Sequence, residues 1–196
     1  MSIPYLPDAV TVPFFERLQR LYDAMDRGYA RAADAYGFHC DGCADNCCRT
    51  RFRHHTHLEY LFLLQGVASL DAKKQLRVQS RAAQICRSYD RADEQGLQVR
   101  VMCPLNIDGR CILYAYRPMI CRLHGIAHQL RKPGQSTIYG PGCTTFDERS
   151  GDKPYFQFDR TPFYMDMVRL ENEFKQNAGL TARIKMTIAR MIVTSA

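Results

Sequence analysis

Four of the nine cysteines in this 196-residue chain lie in one short stretch, Cys40-Asp41-Gly42-Cys43-Ala44-Asp45-Asn46-Cys47-Cys48. Two cysteines separated by two residues can turn both sulfurs toward one cation, as they do in zinc and iron–sulfur sites. Gly42 stands between the first two cysteines and permits the tight backbone that such a turn needs. The stretch therefore predicts a loop that is pinned by metal at the centre of the fold.

A second set of cysteines follows in a region with the pattern of strand, turn and loop: Cys103, Cys111, Cys121 and Cys143. Four and four cysteines suit two four-ligand centres or one compact multi-metal centre, and the residues alone do not choose between zinc and iron. Neighbouring side chains of an extended chain point to opposite faces. Cys47 and Cys48 are therefore expected to serve two different ions, or one of them to bridge.

The chain is long enough to fold without disulfides, because a chain of this size buries roughly 70% of its unfolded surface. The many cysteines therefore need another explanation. The segment 1–7 lacks the basic start and apolar run of a secretory signal. The apolar stretches, such as 60–64, are far shorter than the ~20 residues that span a bilayer. We therefore expect a cytoplasmic protein, with no membrane partner, whose thiols bind metal.

The formal net charge is +7. Part of this excess is expected to compensate thiolates, because sulfur ligands bind metal in their deprotonated form. The basic stretch 49–57 could contact phosphates, but no nucleic-acid-binding motif accompanies it, so a nucleic-acid partner is not expected. The sequence contains no glycine-rich phosphate loop and no dinucleotide-binding glycine pattern, which argues against both nucleotide-binding classes.

Apolar residues at three- and four-residue spacing predict helices on both sides of the cysteine-rich region. The expected helices cover 13–36, 57–65, 70–93, 161–177 and 181 to near the end. Alternating residues predict a strand at 97–101 that pairs with 111–114 across a turn at 106–109. The segment 131–154, rich in Gly, Pro, Ser and Thr, is expected to be mainly loop.

These elements predict an α+β fold that is mostly helical, with a small antiparallel β element and a cysteine-rich metal-binding centre. Three parts are expected along the chain. Residues 1–37 form an N-terminal arm and helix, and residues 38–145 form the cysteine-cluster metal-binding domain. Residues 146–196 form a C-terminal helical segment packed on that domain.

The cysteines and their neighbours resemble a known family over 38–145. The residues that carry the resemblance, besides the first cluster and Cys143, are Cys103-Pro104-Leu105, Gly109-Arg110-Cys111-Ile112-Leu113-Tyr114 and Arg117-Pro118-Met119-Ile120-Cys121-Arg122. This order is similar to that of the YkgJ-type cysteine-cluster family, which is described as zinc- or iron-chelating and is named for a CxxCxxCC motif. The stretch 109–122 is the most specific part.

The resemblance implies eight metal ligands: Cys40, Cys43, Cys47, Cys48, Cys103, Cys111, Cys121 and Cys143. Three residues rather than two separate Cys43 from Cys47, so the naming motif is one residue longer here than its formula. That departure puts the geometry at Cys47 in doubt. Members related to flagellin lysine N-methylases imply one enzymatic interpretation.

Other residues near the cysteines have less specific roles. Cys86 falls in a helical pattern and is expected to be a buried, inert thiol. The histidines are expected to be surface or hydrogen-bonded residues, although His39 and His124 stand close enough in sequence to Cys40 and Cys121 to replace a sulfur. Some arginines are expected either to compensate thiolate charge or to be solvated: Arg49, Arg51, Arg110, Arg117 and Arg122.

Three functions stay open from the sequence. The first is a cytoplasmic metal-binding protein that holds zinc or iron, with an iron–sulfur cluster as one form, in a structural, storage or redox role. The second is an enzyme, either lysine N-methylase-like or dependent on an iron–sulfur cluster. The third is a basic adaptor whose metal only holds the fold. The residues predict neither a substrate nor a protein partner.

Overall fold

A computed structural model describes residues 6–39, 47–132 and 134–194. Within them the chain is mostly helical with two small antiparallel strand pairs, which confirms the α+β class. The elements in chain order are α1 Asp8–Tyr36, α2 His57–Ala68, α3 Ala72–Glu94, β1 Asn106–Ile107, β2 Arg110–Cys111, α4 Met119–Leu123, β3 His128–Arg131, β4 Thr137–Gly140, α5 Thr144–Ser150, α6 Thr161–Asn177 and α7 Ile188–Thr194. None of these described helices has both the length and the apolar character that crossing a membrane requires.

Two compact units make up the described chain, and each combines segments that are distant in sequence. Unit 1 comprises 6–7, 48–118 and 180–194, and unit 2 comprises 8–39, 47 and 119–179. One border between them falls between Cys47 and Cys48. The three-part division into 1–37, 38–145 and 146–196 stays a prediction.

The core of unit 1 forms where α2 and α3 pack against α7. Helix α3 begins at Asp71, whose side chain accepts a hydrogen bond from the Lys74 N–H at 2.8 Å. It buries one face at three- and four-residue spacing. Helix α2 is buried at eight of its twelve positions, so it lies inside the unit rather than on its surface.

The core of unit 2 forms where α1 packs against α4 and α6. Leu18 and Met25 of α1 are fully buried, and so is Phe174 of α6. The ring of Phe174 meets the ring of Phe14 edge to face, with 5.3 Å between the ring centres. Beside these helices, β3 and β4 form a short hairpin.

Helix α1 begins at Asp8, so the predicted start at Pro13 is wrong. Pro13 lies inside the helix and removes one backbone hydrogen bond. Thr11 and Phe14 on either side of it are both buried, and their packing offsets that loss. Helix α2 begins after Thr56 as expected but ends at Ala68, three residues beyond the predicted end.

The predicted pairing of 97–101 with 111–114 is also wrong. The β-hairpin joins Asn106–Ile107 to Arg110–Cys111, and its turn is made by Asp108 and Gly109, with φ values of 51° and 81°. Two positive φ values at an Asp-Gly pair are typical of a type I′ turn. Val99 and Val101 pack against the helices of unit 1 instead. Their alternation reflects this burial rather than a strand ladder.

The segment 131–154 is more regular than predicted, because it contains β4, the end of β3 and α5. The last helix is shorter than predicted and begins only at Ile188. Before it, Met186 exchanges two backbone hydrogen bonds with His54, at 2.7 and 3.0 Å. This bridge holds 181–187 extended, and a helix cannot form there.

Candidate metal centre

The eight predicted ligands divide among three groups. Cys40 and Cys43 lie outside the described residues. Cys48, Cys103 and Cys111 belong to unit 1, whereas Cys47, Cys121 and Cys143 belong to unit 2. The three cysteines of unit 1 come from separate segments of the chain, and those of unit 2 do as well.

Backbone hydrogen bonds bring the three cysteine segments of unit 1 together. The Cys103 N–H donates to the Cys48 carbonyl at 2.7 Å. The Asn106 N–H donates to the Cys103 carbonyl at 3.1 Å and closes a turn after Cys103. Asn106 then pairs with Cys111 across the hairpin. Cys48, Cys103 and Cys111 therefore share one small region.

The Cys48 and Cys111 thiols lie close enough to Cys103 for their charges to change its pKa. Burial raises the pKa of the Cys103 thiol well above its ordinary value, and the charges of Cys48 and Cys111 raise this pKa further. A hydrogen bond from the Leu105 N–H and the charge of Arg81 act in the opposite direction. A bound cation would favour the thiolate forms and reverse the shift.

Arg81 of α3 fixes the turn that follows Cys103. Its guanidinium donates to the Asn106 carbonyl at 2.6 Å and places a positive charge beside the thiols. Donors and charges around a ligand orient it and tune its basicity. The turn of Cys103 is thus supported from the helix core of unit 1.

In unit 2, Cys121 lies within α4 and Cys143 lies at the N-cap of α5. The Cys143 N–H donates to the Gly125 carbonyl at 3.0 Å. Gly125 has a φ of +113°, and a Cβ built there would lie 3.1 Å from Tyr29 Oη and 4.0 Å from Cys143 Sγ. Only glycine allows the backbone to pass this close to the thiol.

The described residues alone do not form a metal site. Across 6–39, 47–132 and 134–194, no three Cys, His, Asp or Glu side chains have the spacing that would hold a metal ion. The described cysteines form no disulfide with one another. The ligand set, the metal and the cofactor stay predictions.

Cys47 and Cys48 lie in a 3₁₀ turn, Cys47–Arg49, so the extended backbone assumed for them is wrong. Successive side chains of a 3₁₀ turn are about 120° apart rather than on opposite faces. The expectation of two ions or a bridging sulfur therefore no longer follows from the backbone. The border between the units at this pair is an independent observation.

Cys86 is buried in the core of unit 1, as expected. Burial raises the pKa of its thiol above the ordinary value. A neutral thiol surrounded by apolar side chains is poorly nucleophilic. Cys86 therefore serves as a matched control for the predicted ligands.

Two of the arginines near the cysteines have structural partners. In unit 1 both guanidinium ends of Arg51 donate to the Asp93 carboxylate at 2.6 Å, and its Cζ lies 4.2 Å from the centre of the Tyr89 ring. Arg117 stacks on Tyr114, with its Cζ 3.5 Å from the centre of the Tyr114 ring. These contacts account for both side chains without a metal.

Arg122 in unit 2 is 5% exposed and pairs with Asp26 at 2.5 Å. Its Cζ also lies 4.0 Å from the centre of the Tyr22 ring. The stretch 109–122 therefore ends in a buried cation bound to α1. By contrast, Arg49 and Arg110 of unit 1 are exposed.

Sequence reasoning missed a cluster of buried polar groups at the start of α2. His54, His57 and Glu59 are each less than 5% exposed, and the Thr56 hydroxyl donates to Glu59 Oε2 at 2.7 Å. Burial lowers the pKa of His54, while Glu59 opposes that shift and His55 adds to it. Among the described residues, His54 Nε2 has no hydrogen-bond partner. The dense run of histidines was the only signal.

A second buried cation, Arg160 of unit 2, was also missed. It is 3% exposed, and Nη2 donates to the Ile126 carbonyl at 3.1 Å. Burial lowers the pKa of this guanidinium to about 10, against the opposing charges of nearby tyrosines. No local pattern in the sequence distinguishes it from an exposed arginine.

Comparisons of the chain with protein families, with curated proteins and with solved structures find no match. The resemblance to the YkgJ-type family therefore stays a prediction that depends on the order of cysteines and their neighbours.

Proposed function

We propose that this chain is a metal-binding protein that holds zinc or iron through its cysteines. Cys48, Cys103 and Cys111 are ligands of one centre in unit 1 under this proposal. The observation that supports it most is that the charges of Cys48 and Cys111 act on the buried Cys103 thiol. Backbone hydrogen bonds hold three cysteine-bearing segments together there. Under this proposal the three sulfurs draw closer when the cation binds, because the described side chains do not have metal-binding spacing without it.

Two groups beside Cys103 favour its thiolate form, although burial has the larger and opposite effect. The Leu105 N–H donates to the sulfur, and the Arg81 guanidinium supports the turn. Both stabilise a thiolate more than a neutral thiol. Cys86 is buried in the same unit. Burial is again the largest cause of its raised pKa, while the charges of Arg190 and Arg87 lower this pKa and the charge of Asp90 raises it.

A second centre in unit 2 would use Cys47, Cys121 and Cys143. Cys40 and Cys43 would complete the shells of the two centres. A fully sulfur-coordinated shell favours a structural or redox role, whereas an open position favours the enzymatic alternative. Since thiol ligands must stay reduced, the proposal places the protein in the cytoplasm.

Element analysis of protein purified without oxygen tests the proposal directly. We expect bound zinc or iron in the wild type, and visible absorption if the iron forms a cluster. Cys103→Ser and Cys111→Ser should each lower the metal bound per chain, and Cys86→Ala should not. Chelation should also lower the melting temperature, because thiolate zinc sites contribute on the order of 10 kcal/mol of apparent binding free energy in small folding modules.

Two results would reject the proposal. One is a wild-type protein that binds neither zinc nor iron when it is supplied with both. The other is a Cys103→Ser or Cys111→Ser variant that keeps the full metal content. Circular dichroism of each variant separates loss of a ligand from loss of the fold.

A further inference from the structure

The net positive charge of the chain comes entirely from unit 1. Counted over its segments, unit 1 has fifteen Lys and Arg and six Asp and Glu, a formal net charge of +9. Unit 2 has twelve Lys and Arg and fourteen Asp and Glu, a net charge of −2. The two values add to the +7 of the whole chain. The moderate net charge of the whole chain therefore conceals one strongly basic unit.

Most acidic groups of unit 1 are already engaged inside the unit. Three of the six carboxylates form ion pairs, and a fourth is buried. The pairs are Asp71–Lys74, Asp90–Arg190 and Asp93–Arg51, and the buried carboxylate is that of Glu59. Few carboxylates remain to neutralise the other cations of unit 1.

Helix α3 carries four of these cations along one line on its outer face, two near each end, with two uncharged residues between the pairs. We call it the basic stripe, and its exposed members are Lys73, Arg77, Ser80, Gln84, Arg87 and Arg91. Their alternate spacing of four and three residues keeps them within about 40° of one line along the helix, and they extend over about 27 Å. The buried face of α3, including Val78, Ala82 and Tyr89, lies on the opposite side.

The outer face of α1 shows what an ordinary solvated helix face looks like in the same chain. Its exposed side chains along one line carry both signs in equal number: Glu16, Arg20, Asp23, Arg27, Arg31 and Asp34. The basic stripe contains no acidic residue. Mixed charge supports solubility, whereas a line of one sign attracts a polyanion.

The four cations of the stripe are available to a ligand. Within the part of the chain that the structure describes, no carboxylate lies within salt-bridge distance of Lys73, Arg77, Arg87 or Arg91. They lie on the face of α3 opposite its packed side, so they do not compensate the thiols. Arg81, which reaches the turn of Cys103, lies off this line.

We propose that the basic stripe of α3 binds the phosphate backbone of double-stranded nucleic acid without reading its sequence. The stripe has no aromatic side chain on which unpaired bases could stack, which argues against single strands. A lone exposed apolar side chain, Leu76, borders the stripe, whereas binding at a lipid surface needs a whole apolar face. Its length matches about eight base pairs of duplex.

Sequence motifs gave no sign of this interface, because the stripe has none of the local signatures of a nucleic-acid-binding fold. Two structural facts carry it instead: the division of charge between the units and the helical line on α3. The proposal is independent of which metal, if any, the cysteines hold.

The test measures binding of the full chain to a labelled DNA duplex of about 20 base pairs by fluorescence anisotropy, over about 50–300 mM salt. One variant combines Lys73→Gln, Arg77→Gln, Arg87→Gln and Arg91→Gln. The control removes the same charge from exposed positions of unit 2 by Arg20→Gln, Arg27→Gln, Arg31→Gln and Lys132→Gln. Glutamine is a good helix former, so both variants should keep the fold.

We expect the logarithm of the wild-type association constant to fall linearly with the logarithm of salt concentration. The stripe variant should reduce this slope by about 3–4 and weaken binding at about 100 mM salt by at least about 100-fold. The control should keep the slope within about 1 of wild type.

Several outcomes would overturn the proposal. They are no duplex binding at about 50 mM salt, unchanged binding by the stripe variant, or an equal loss in the control. Tighter binding to a single strand of equal length would assign the stripe to unpaired nucleic acid. Stripe-dependent binding to anionic phospholipid vesicles, with none to the duplex, would assign it to a membrane surface.

Discussion

Units 1 and 2 each pack helices around an apolar core, but they place their positively charged side chains differently. Unit 1 keeps its excess cations on the surface and buries the thiol of Cys86, two histidines and the carboxylate of Glu59. Unit 2 has a surface of mixed charge and buries two guanidinium groups, those of Arg122 and Arg160. A buried cation needs partners inside the protein, whereas an exposed one is available to a ligand. The composition of the whole chain hides this difference.

The ion pair between the buried Arg122 and the exposed Asp26 gives the largest expected effect. Arg122→Ala should lower the free energy of unfolding by about 2–4 kcal/mol, because it removes the partner of Asp26 and the cation over the Tyr22 ring. Denaturant titration measures this loss. Arg17→Ala, which removes an exposed pair with Glu173, should cost less than about 1 kcal/mol. Equal losses would show that burial of Arg122 contributes nothing.

A smaller effect tests the packing of unit 1. Gly66 lies within α2, where alanine would normally be favoured by up to about 1 kcal/mol. A Cβ at Gly66 would lie 2.5 Å from Cγ of Tyr116, so Gly66→Ala should instead destabilise the protein by about 1–3 kcal/mol.

The double variant Gly66→Ala with Tyr116→Ala separates the clash from helix propensity. Without the ring, the alanine at position 66 should become neutral or stabilising relative to Tyr116→Ala alone. A stabilising Gly66→Ala in the wild-type background would show that the Tyr116 ring does not pack on α2.

The smallest effect is a pH dependence that both units share. Burial lowers the pKa of His54 in unit 1 and, with the charge of Arg160, lowers the pKa of His128 in unit 2 to about 4. Histidine in an unfolded chain titrates near about 6.5. The unfolded state therefore takes up protons first as the pH falls, and stability that is complete above about 6.5 declines toward 4.

Substitution by glutamine should flatten this decline. His128→Gln should lose less stability than wild type between about pH 6.5 and pH 4, by about 1 kcal/mol since His128 is only half-buried. Urea midpoints across this range measure the slope, and His55→Gln at an exposed position serves as the control. A slope that is unchanged in His128→Gln but flattened in His55→Gln would contradict the prediction.

The sequence predicted elements whose signals are local and failed where the signal depends on distant partners. The predicted helix starts at 57 and 161 agree with those of α2 and α6, and Pro162 lies in the first turn of α6, where its fixed φ favours a helix. Val99 and Val101 alternate like a strand, but their partners are helices far away in sequence. The extended run before α7 likewise depends on a bridge to His54.

The candidate site was predictable to a similar degree. The predicted turn at 106–109 is present, but the strands beside it are Asn106–Ile107 and Arg110–Cys111 rather than 97–101 and 111–114. That Cys48 joins this segment depends on a backbone bond to Cys103 across more than fifty residues. No local pattern encodes such a contact. The metal and the full ligand set remain predictions.

The interleaving of the two units has a consequence for synthesis on the ribosome. Unit 1 encloses Met191 and Ile192 of α7, which are fully buried and follow every other element of that unit. Its thiols at 48, 103 and 111 therefore emerge long before the helix that completes their core. Until that helix emerges, these thiols belong to a segment whose core lacks the packing of α7.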